Sequence, residues 1–155
     1  MPLFDPMGWL ALGERLAKGS TEAELRTAIS RAYYACHIMA RDRMFGSDAT
    51  GLRRKDREML ARDKRVSEHV VVSKAIATNS GMRSGAAKRL SDQLGELRSM
   101  REQADYHCNS DRDEIKELFR RYRVGGWPGM ANTAVARAQS LVPDISVLQA
   151  YKRRP

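Results

Sequence analysis

The fold is decided by the segment Leu97-Arg98-Ser99-Met100-Arg101-Glu102-Gln103-Ala104-Asp105-Tyr106-His107. When residues 86–108 are placed on a helix at 100° per residue, they form one apolar stripe that contains a charged residue. The stripe consists of Leu90, Leu94, Leu97, Arg101, Ala104 and Cys108, with Asp105 at its edge. A guanidinium stays charged and carries five donors, so its burial is costly unless an anion or several acceptors meet it. Arg101 is therefore the first candidate for a functional residue.

His107 follows Arg101 on the same predicted helix and carries an imidazole, which changes charge near neutral pH. On an unbroken helix the two side chains point about 120° apart, so one helix cannot direct both at one point. Either the helix ends near His107, or two copies of the chain combine their residues. The run Cys108-Asn109-Ser110-Asp111 is typical of a helix end followed by a new N-cap, which favours the first arrangement.

Purely structural interpretations of this segment stay open. Arg101 and Asp105 have the spacing of an ion pair on a helix surface, and a histidine at a helix C-terminus interacts favourably with the helix dipole. Arg101 is also compatible with a scaffold role, as an anchor of a buried dimer contact.

The composition of the 155 residues predicts a single all-α domain, because helix formers are plentiful and Val70-Val71-Val72 is the only β-branched run. A net charge of +9 indicates an anionic partner, first of all nucleic acid, although a merely basic soluble protein is the alternative. Two cysteines without ligand spacing suggest no disulfide framework, no zinc site and a reducing cytoplasm. No apolar run of signal-peptide or membrane-spanning type is present, so neither secretion nor membrane insertion is expected.

The helix pattern predicts six segments. The first covers Pro6–Lys18, and the second is a long helix that the capping box at Thr21 to Glu24 opens and Gly46 closes. Three more cover residues 68–78, about 83–107 and 111–123, and the last covers Met130–Leu141 and is closed by Pro143. The two long helices are expected to pack antiparallel, since this buries their apolar faces.

The first long helix carries a second candidate feature. Its core stripe is rich in small residues, while Ser30, Tyr34, His37 and Arg41 recur on the opposite face. That polar line is compatible with a solvated face, a contact with a second subunit, or a groove for a phosphate backbone. The connection after it is strongly basic and is either a solvated loop or an arm that contacts phosphates.

Two segments together resemble proteins of the HEPN superfamily. Ala28-Ile29-Ser30-Arg31-Ala32-Tyr33-Tyr34-Ala35-Cys36-His37 resembles their "SRAYYA" helix, and Arg101-Glu102-Gln103-Ala104-Asp105-Tyr106-His107 resembles their "R-x-x-A-D-Y" segment. The resemblance covers residues 6–125. It implies an HEPN-like helical bundle over 1–124 that forms a homodimer, with 125–155 as a C-terminal helix and basic tail.

Many HEPN proteins are metal-independent ribonucleases of toxin-antitoxin or antiviral systems, and they carry an Arg followed by a His at the spacing of Arg101 and His107. The resemblance therefore implies an endoribonuclease that needs no cofactor, with Arg101 and His107 catalytic at a dimer cleft. Supporting roles fall to Tyr34, His37, Glu102, Asp105 and Tyr106, although active members usually carry Asn or Asp where Glu102 stands. RNA-binding roles are assigned to Arg41, Arg53, Arg54, Lys55, Arg57, Arg62, Lys64 and Arg65. As a toxin, the protein would have an antitoxin or nucleotidyltransferase-like partner. The alternative is a non-catalytic HEPN-like module that binds nucleic acid or a nucleotidyltransferase-like partner.

Overall fold

The structure is a computed structural model that describes residues 5–46, 67–106 and 111–151. Every regular element in these ranges is an α-helix, which confirms the all-α prediction. The helices are α1 (Pro6–Leu16), α2 (Glu22–Phe45), α3 (Glu68–Ala77), α4 (Ser84–Tyr106), α5 (Arg112–Tyr122) and α6 (Trp127–Ser146). None of the helices in these ranges has the length and apolarity that crossing a membrane requires.

Local sequence signals account for the ends of α1 and α2. The Asp5 carboxylate accepts a hydrogen bond from the Met7 amide at 3.1 Å, which caps α1. At the start of α2, the Glu24 amide donates to the Thr21 hydroxyl at 3.2 Å and the Thr21 amide donates to the Glu24 carboxylate at 3.0 Å. This is the predicted capping box. Gly46, with a φ of +90°, follows the last residue of α2, as predicted.

The last helix differs from the prediction at both ends. It begins at Trp127 because Pro128 falls in the first turn, where a missing N–H breaks no helical hydrogen bond. It also continues through Pro143, which was expected to end it. Proline removes one bond to the carbonyl of Gln139, and both residues are exposed, so water can satisfy that carbonyl.

The chain divides into two compact units. We call residues 4–35 and 96–140 the arginine unit, and residues 1–3, 36–95 and 141–155 the histidine unit. The predicted division into 1–124 and 125–155 stays a prediction.

In the arginine unit, α2 and α4 pack in antiparallel directions. The Arg26 Nε donates to the Ala104 carbonyl at 2.6 Å, while Tyr33, further along α2, lies against Arg101, which precedes Ala104 on α4. The small residues predicted for the α2 stripe, Ala28 and Ala32, are fully buried. These two residues lie where α1 approaches α2, because a Cβ at Gly13 would be 3.3 Å from the Ala28 carbonyl oxygen and 3.5 Å from the Ala32 amide nitrogen.

In the histidine unit, the segment that follows α6 makes hydrogen bonds with residues near the ends of α2 and α3. The Asn79 side chain donates to the Gln149 carbonyl at 2.9 Å and accepts from the Gln149 amide at 3.0 Å. The Tyr151 amide donates to the Met44 carbonyl at 2.8 Å. These backbone contacts hold residues 147–151 against the end of α2 and the end of α3.

Candidate functional site

Arg101 occupies the position that the helical stripe predicts. Leu90, Leu94, Leu97 and Ala104 are buried along α4, and Arg101 among them is only 5% exposed. A permanently charged guanidinium is thus buried in a seam of apolar residues. Cys108, the last predicted member of the stripe, lies outside the described residues.

Two carboxylates contact the Arg101 guanidinium. Its Nη1 donates to Asp105 Oδ2 at 3.3 Å, and its Nη2 lies 3.6 Å from Glu102 Oε1. Both distances exceed the 2.7–2.9 Å typical of a charge-assisted hydrogen bond. The Arg101 Nε is buried and has no hydrogen-bond partner. The guanidinium is neutralised, but its donors are incompletely satisfied.

Three aromatic rings surround the same guanidinium. Its central carbon lies 5.5 Å from the ring centroids of Tyr33 and Tyr34 and 5.8 Å from that of Tyr106. Each distance is within cation–π range. The structure therefore brings Arg101 together with four predicted supporting residues, Tyr34, Glu102, Asp105 and Tyr106.

Tyr33 belongs to this cluster and was missed from the sequence. Its side chain is 1% exposed, and burial raises its pKa, so the hydroxyl stays neutral. The only available signal was its place beside Tyr34 in a helix that had to pack on the Arg101 stripe. Helical periodicity alone does not report which ring faces a cation on another helix.

The environment keeps Arg101 charged. Burial by itself lowers the pKa of Arg101, but Tyr34 and the hydrogen bonds with Asp105 and Tyr106 outweigh burial and raise the pKa above its usual value. The arrangement can therefore present a permanent cation, but it cannot move a proton through this side chain.

Glu102 lies between two guanidiniums. Its Oε1 accepts a hydrogen bond from the Arg98 Nε at 2.8 Å, and the same oxygen is the one near Arg101. The contact with Arg98 is the shorter of the two, so Glu102 pairs mainly with Arg98.

His37 and Arg41 belong to the histidine unit. His37 is 2% exposed, so it does not lie on the exposed polar face that was one of the options for this line of residues. Its Nε2 lies 3.0 Å from Glu68 Oε1, and its ring lies 4.5 Å from that of His69. Arg41 pairs with Asp42 at 2.8 Å and with Glu68 at 3.4 Å.

Glu68 is the acidic partner that the sequence analysis missed. The hydrogen bond with His37 and the charges of His37 and Arg41 lower its pKa to about 2, against the opposing effect of burial. Glu68 is the first residue of α3, and only the packing of α3 on the end of α2 brings it to His37.

Several predicted residues lie outside the described residues. These are His107 and the basic residues Arg53, Arg54, Lys55, Arg57, Arg62, Lys64 and Arg65. Their catalytic and RNA-binding roles stay predictions.

A groove of about 600 Å³ opens in the arginine unit beside the Arg101 cluster. Its walls include Arg26, Thr27, Ser30 and Arg31 of α2, and Ala104 and Asp105 of α4. Asp105 is common to both features, because it lines the groove and accepts a hydrogen bond from Arg101. Over 5–46, 67–106 and 111–151, no group of three or more His, Cys, Asp or Glu side chains could hold a metal ion.

Comparison with known proteins identifies no relative: no protein-family model, curated protein or solved structure matches the chain.

Proposed function

We propose that the protein is a metal-independent endoribonuclease of HEPN type, acting as a homodimer in a toxin-antitoxin or antiviral system. The observation that carries this proposal is Arg101, which is 5% exposed within an apolar seam and has an unpartnered Nε. His107, six positions later in the sequence, supplies the proton-transfer group.

Arg101 is suited to hold a phosphate. Its contacts with Asp105 and Glu102, at 3.3 and 3.6 Å, are long for charge-assisted bonds, so phosphate oxygens can compete for the same donors. A two-pronged contact from a guanidinium also stabilises the additional negative charge of a pentacoordinate transition state.

The reaction requires one proton acceptor and one proton donor. The 2′-hydroxyl loses its proton and attacks the adjacent phosphorus, forming an O2′–P bond as the P–O5′ bond breaks. The leaving 5′-oxygen takes a proton, which gives a 2′,3′-cyclic phosphate and a 5′-hydroxyl. His107 acts as base or acid in this exchange, since an imidazole changes protonation near neutral pH.

A homodimer can bring Arg101 and His107 side chains together even though one helix directs them apart. On one helix, side chains six positions apart point about 120° away from each other. A two-fold axis near the end of α4 brings the Arg101 and His107 pairs of both copies into one cleft. Tyr106 is 74% exposed at the last residue of α4 and is available for such a contact.

RNA incubation with end-group analysis tests the proposal. Wild-type protein is expected to cleave single-stranded RNA or tRNA in the presence of a chelator and to leave 2′,3′-cyclic phosphate ends. His107→Ala is expected to abolish cleavage, whereas the control His69→Ala, which removes a histidine to which the proposal assigns no role, is expected to retain it. If the wild type and the variants all leave the RNA intact, the proposed endoribonuclease activity is wrong.

A second candidate is a non-catalytic HEPN-like module that binds nucleic acid or a nucleotidyltransferase-like partner. Glu102 favours it, because a carboxylate 3.6 Å from the Arg101 Nη2 repels an incoming phosphate. The two candidates differ in cells: toxicity on expression that disappears in His107→Ala supports the enzyme, and binding without cleavage that is unaffected by His107→Ala supports the module.

A further inference from the structure

Two arginines of α2 line the groove in the arginine unit, and they differ in what neutralises them. Arg26 pairs with Glu22 at 3.0 Å and also donates to the Ala104 carbonyl. Arg31, in contrast, has no carboxylate within ion-pair distance in the part of the chain that the structure describes, and its buried Nε has no partner. Arg31 is therefore a groove cation whose charge no described carboxylate neutralises.

Packing of α1 on α2 orients the Arg31 guanidinium. Its central carbon lies 4.0 Å from the centroid of the Trp9 ring, which stacks against it. Gly13 allows this approach, because a Cβ at that position would lie 3.3 Å from the Ala28 carbonyl oxygen. A stacked guanidinium keeps its plane fixed, so it loses less freedom when it meets two oxygens.

Hydroxyl groups accompany Arg31 on the same face of α2. Thr27 precedes Ser30 by three positions and Arg31 by four, so its side chain neighbours both, and all three residues line the groove. The Thr27 hydroxyl donates to the Ala23 carbonyl at 2.7 Å. Ser30 is thus the hydroxyl that can donate to a ligand in the groove.

We propose that this groove binds a phosphate of the RNA strand next to the phosphate held by Arg101, through the guanidinium of Arg31 and the hydroxyl of Ser30. The inference rests on the proposed function. Asp105 belongs to both sites, because the residue lines the groove and its carboxylate accepts a hydrogen bond from Arg101. The carboxylates of the groove, Glu22 and Asp105, are already paired with Arg26 and Arg101.

Binding of a non-cleavable oligonucleotide tests the groove separately from catalysis. The probe is a short, fluorescent single strand with 2′-deoxy sugars, which lacks the attacking hydroxyl. Fluorescence anisotropy at several salt concentrations gives the Kd and its salt dependence for wild type, Arg31→Gln and the matched control Arg15→Gln. Arg15 is exposed on α1 and lies outside the groove lining.

Arg31→Gln is expected to weaken binding about tenfold. It should also reduce the slope of log K against log salt by about 0.7, the contribution of one phosphate contact in a single strand. Arg15→Gln, which removes the same charge, is expected to leave both quantities near wild type. If Arg31→Gln and Arg15→Gln change the Kd and its salt dependence equally, the proposed phosphate site in the groove is wrong. If Arg31→Gln does not fold, Ser30→Ala takes its place, and unchanged binding by folded Ser30→Ala overturns the groove.

Cleavage of ordinary RNA by the same proteins separates this inference from the proposed function. If wild type cleaves RNA but binding is insensitive to Arg31→Gln, the groove is wrong and the nuclease stands. If Arg31→Gln alone weakens binding and wild type cleaves nothing, the nuclease is wrong and a groove that binds the phosphates of a single strand stands.

Discussion

The Arg101 guanidinium donates to Asp105, one turn further along α4, at 3.3 Å, while Arg101 itself is 5% exposed. The acid follows the base in sequence, which is the less favourable order for a helical pair. Such a pair contributes little to stability once the desolvation of the guanidinium is counted. A buried guanidinium that adds little stability is better explained if it binds an anion from outside the protein.

Arg101→Met is expected to abolish RNA cleavage and to change the free energy of unfolding by no more than about 1 kcal/mol. Methionine fills a similar space without charge, and the carboxylates left behind, Asp105 and Glu102, have side chains 32% and 38% exposed, so water can solvate them and no buried charge is left alone. Asp105→Ala, by contrast, removes an acceptor from the buried guanidinium and is expected to cost about 1 kcal/mol or more. Denaturant unfolding compares the two variants. A larger loss in Arg101→Met contradicts a phosphate role and indicates a structural anchor.

Gly13→Val is expected to lower stability by about 1–3 kcal/mol, because the added atoms meet the backbone of α2. Even a Cβ at Gly13 would lie 3.3 Å from the Ala28 carbonyl oxygen. The variant should also separate Trp9 from Arg31, which reduces quenching or shifts the emission of the indole. Thermal unfolding and tryptophan fluorescence measure the two effects.

Gly95→Ala is the matched control for the Gly13 substitution. Gly95 lies inside α4, and a Cβ there meets nothing within 4 Å beyond its chain neighbours and the nearby backbone of α4 itself. The substitution is expected to stabilise the protein by about 0.5–1 kcal/mol, since alanine loses less backbone freedom in a helix. Destabilisation by Gly95→Ala would show that this face of α4 is covered.

Asn79→Ala is expected to cost about 2 kcal/mol. Asn79 is 7% exposed, and its amide makes hydrogen bonds with both backbone groups of Gln149 and with the Gly81 amide at 3.0 Å. Alanine leaves these part-buried backbone groups without their side-chain partner. Asn132→Ala, at an exposed position of α6, should have little effect. Similar melting temperatures for the two variants contradict a role of Asn79 in holding the C-terminal segment.

Acid destabilisation should depend on Glu68. The pKa of Glu68 is lowered from 4.5 to about 2 in the folded protein, first by the hydrogen bond with His37. A depressed carboxyl pKa stabilises the folded state above the unfolded pKa, and this contribution is lost as the pH falls from about 5 towards 2. Glu68→Gln is therefore expected to flatten the decline in unfolding free energy over that range. Glu14→Gln, at an exposed position of α1, should preserve the wild-type decline.

Local patterns predicted the helices because each signal acts within a few residues. The capping box of Thr21 and Glu24, the stop at Gly46 and the burial of Arg101 all follow from hydrogen bonds or periodicity along one segment. Pro143 was misread for the same reason: an isolated segment with proline favours termination, but packing of Leu141 and Ile145 keeps α6 helical beyond it.

The sequence by itself thus determined an all-helical chain with a cation inside an apolar stripe. Only the tertiary structure decided which groups that cation and its neighbours meet: Tyr33 against Arg101, Trp9 against Arg31, and Glu68 beside His37. Each of these contacts joins residues of different helices. They depend on which faces pack together and at what register, and those are properties of the assembled unit rather than of any one helix.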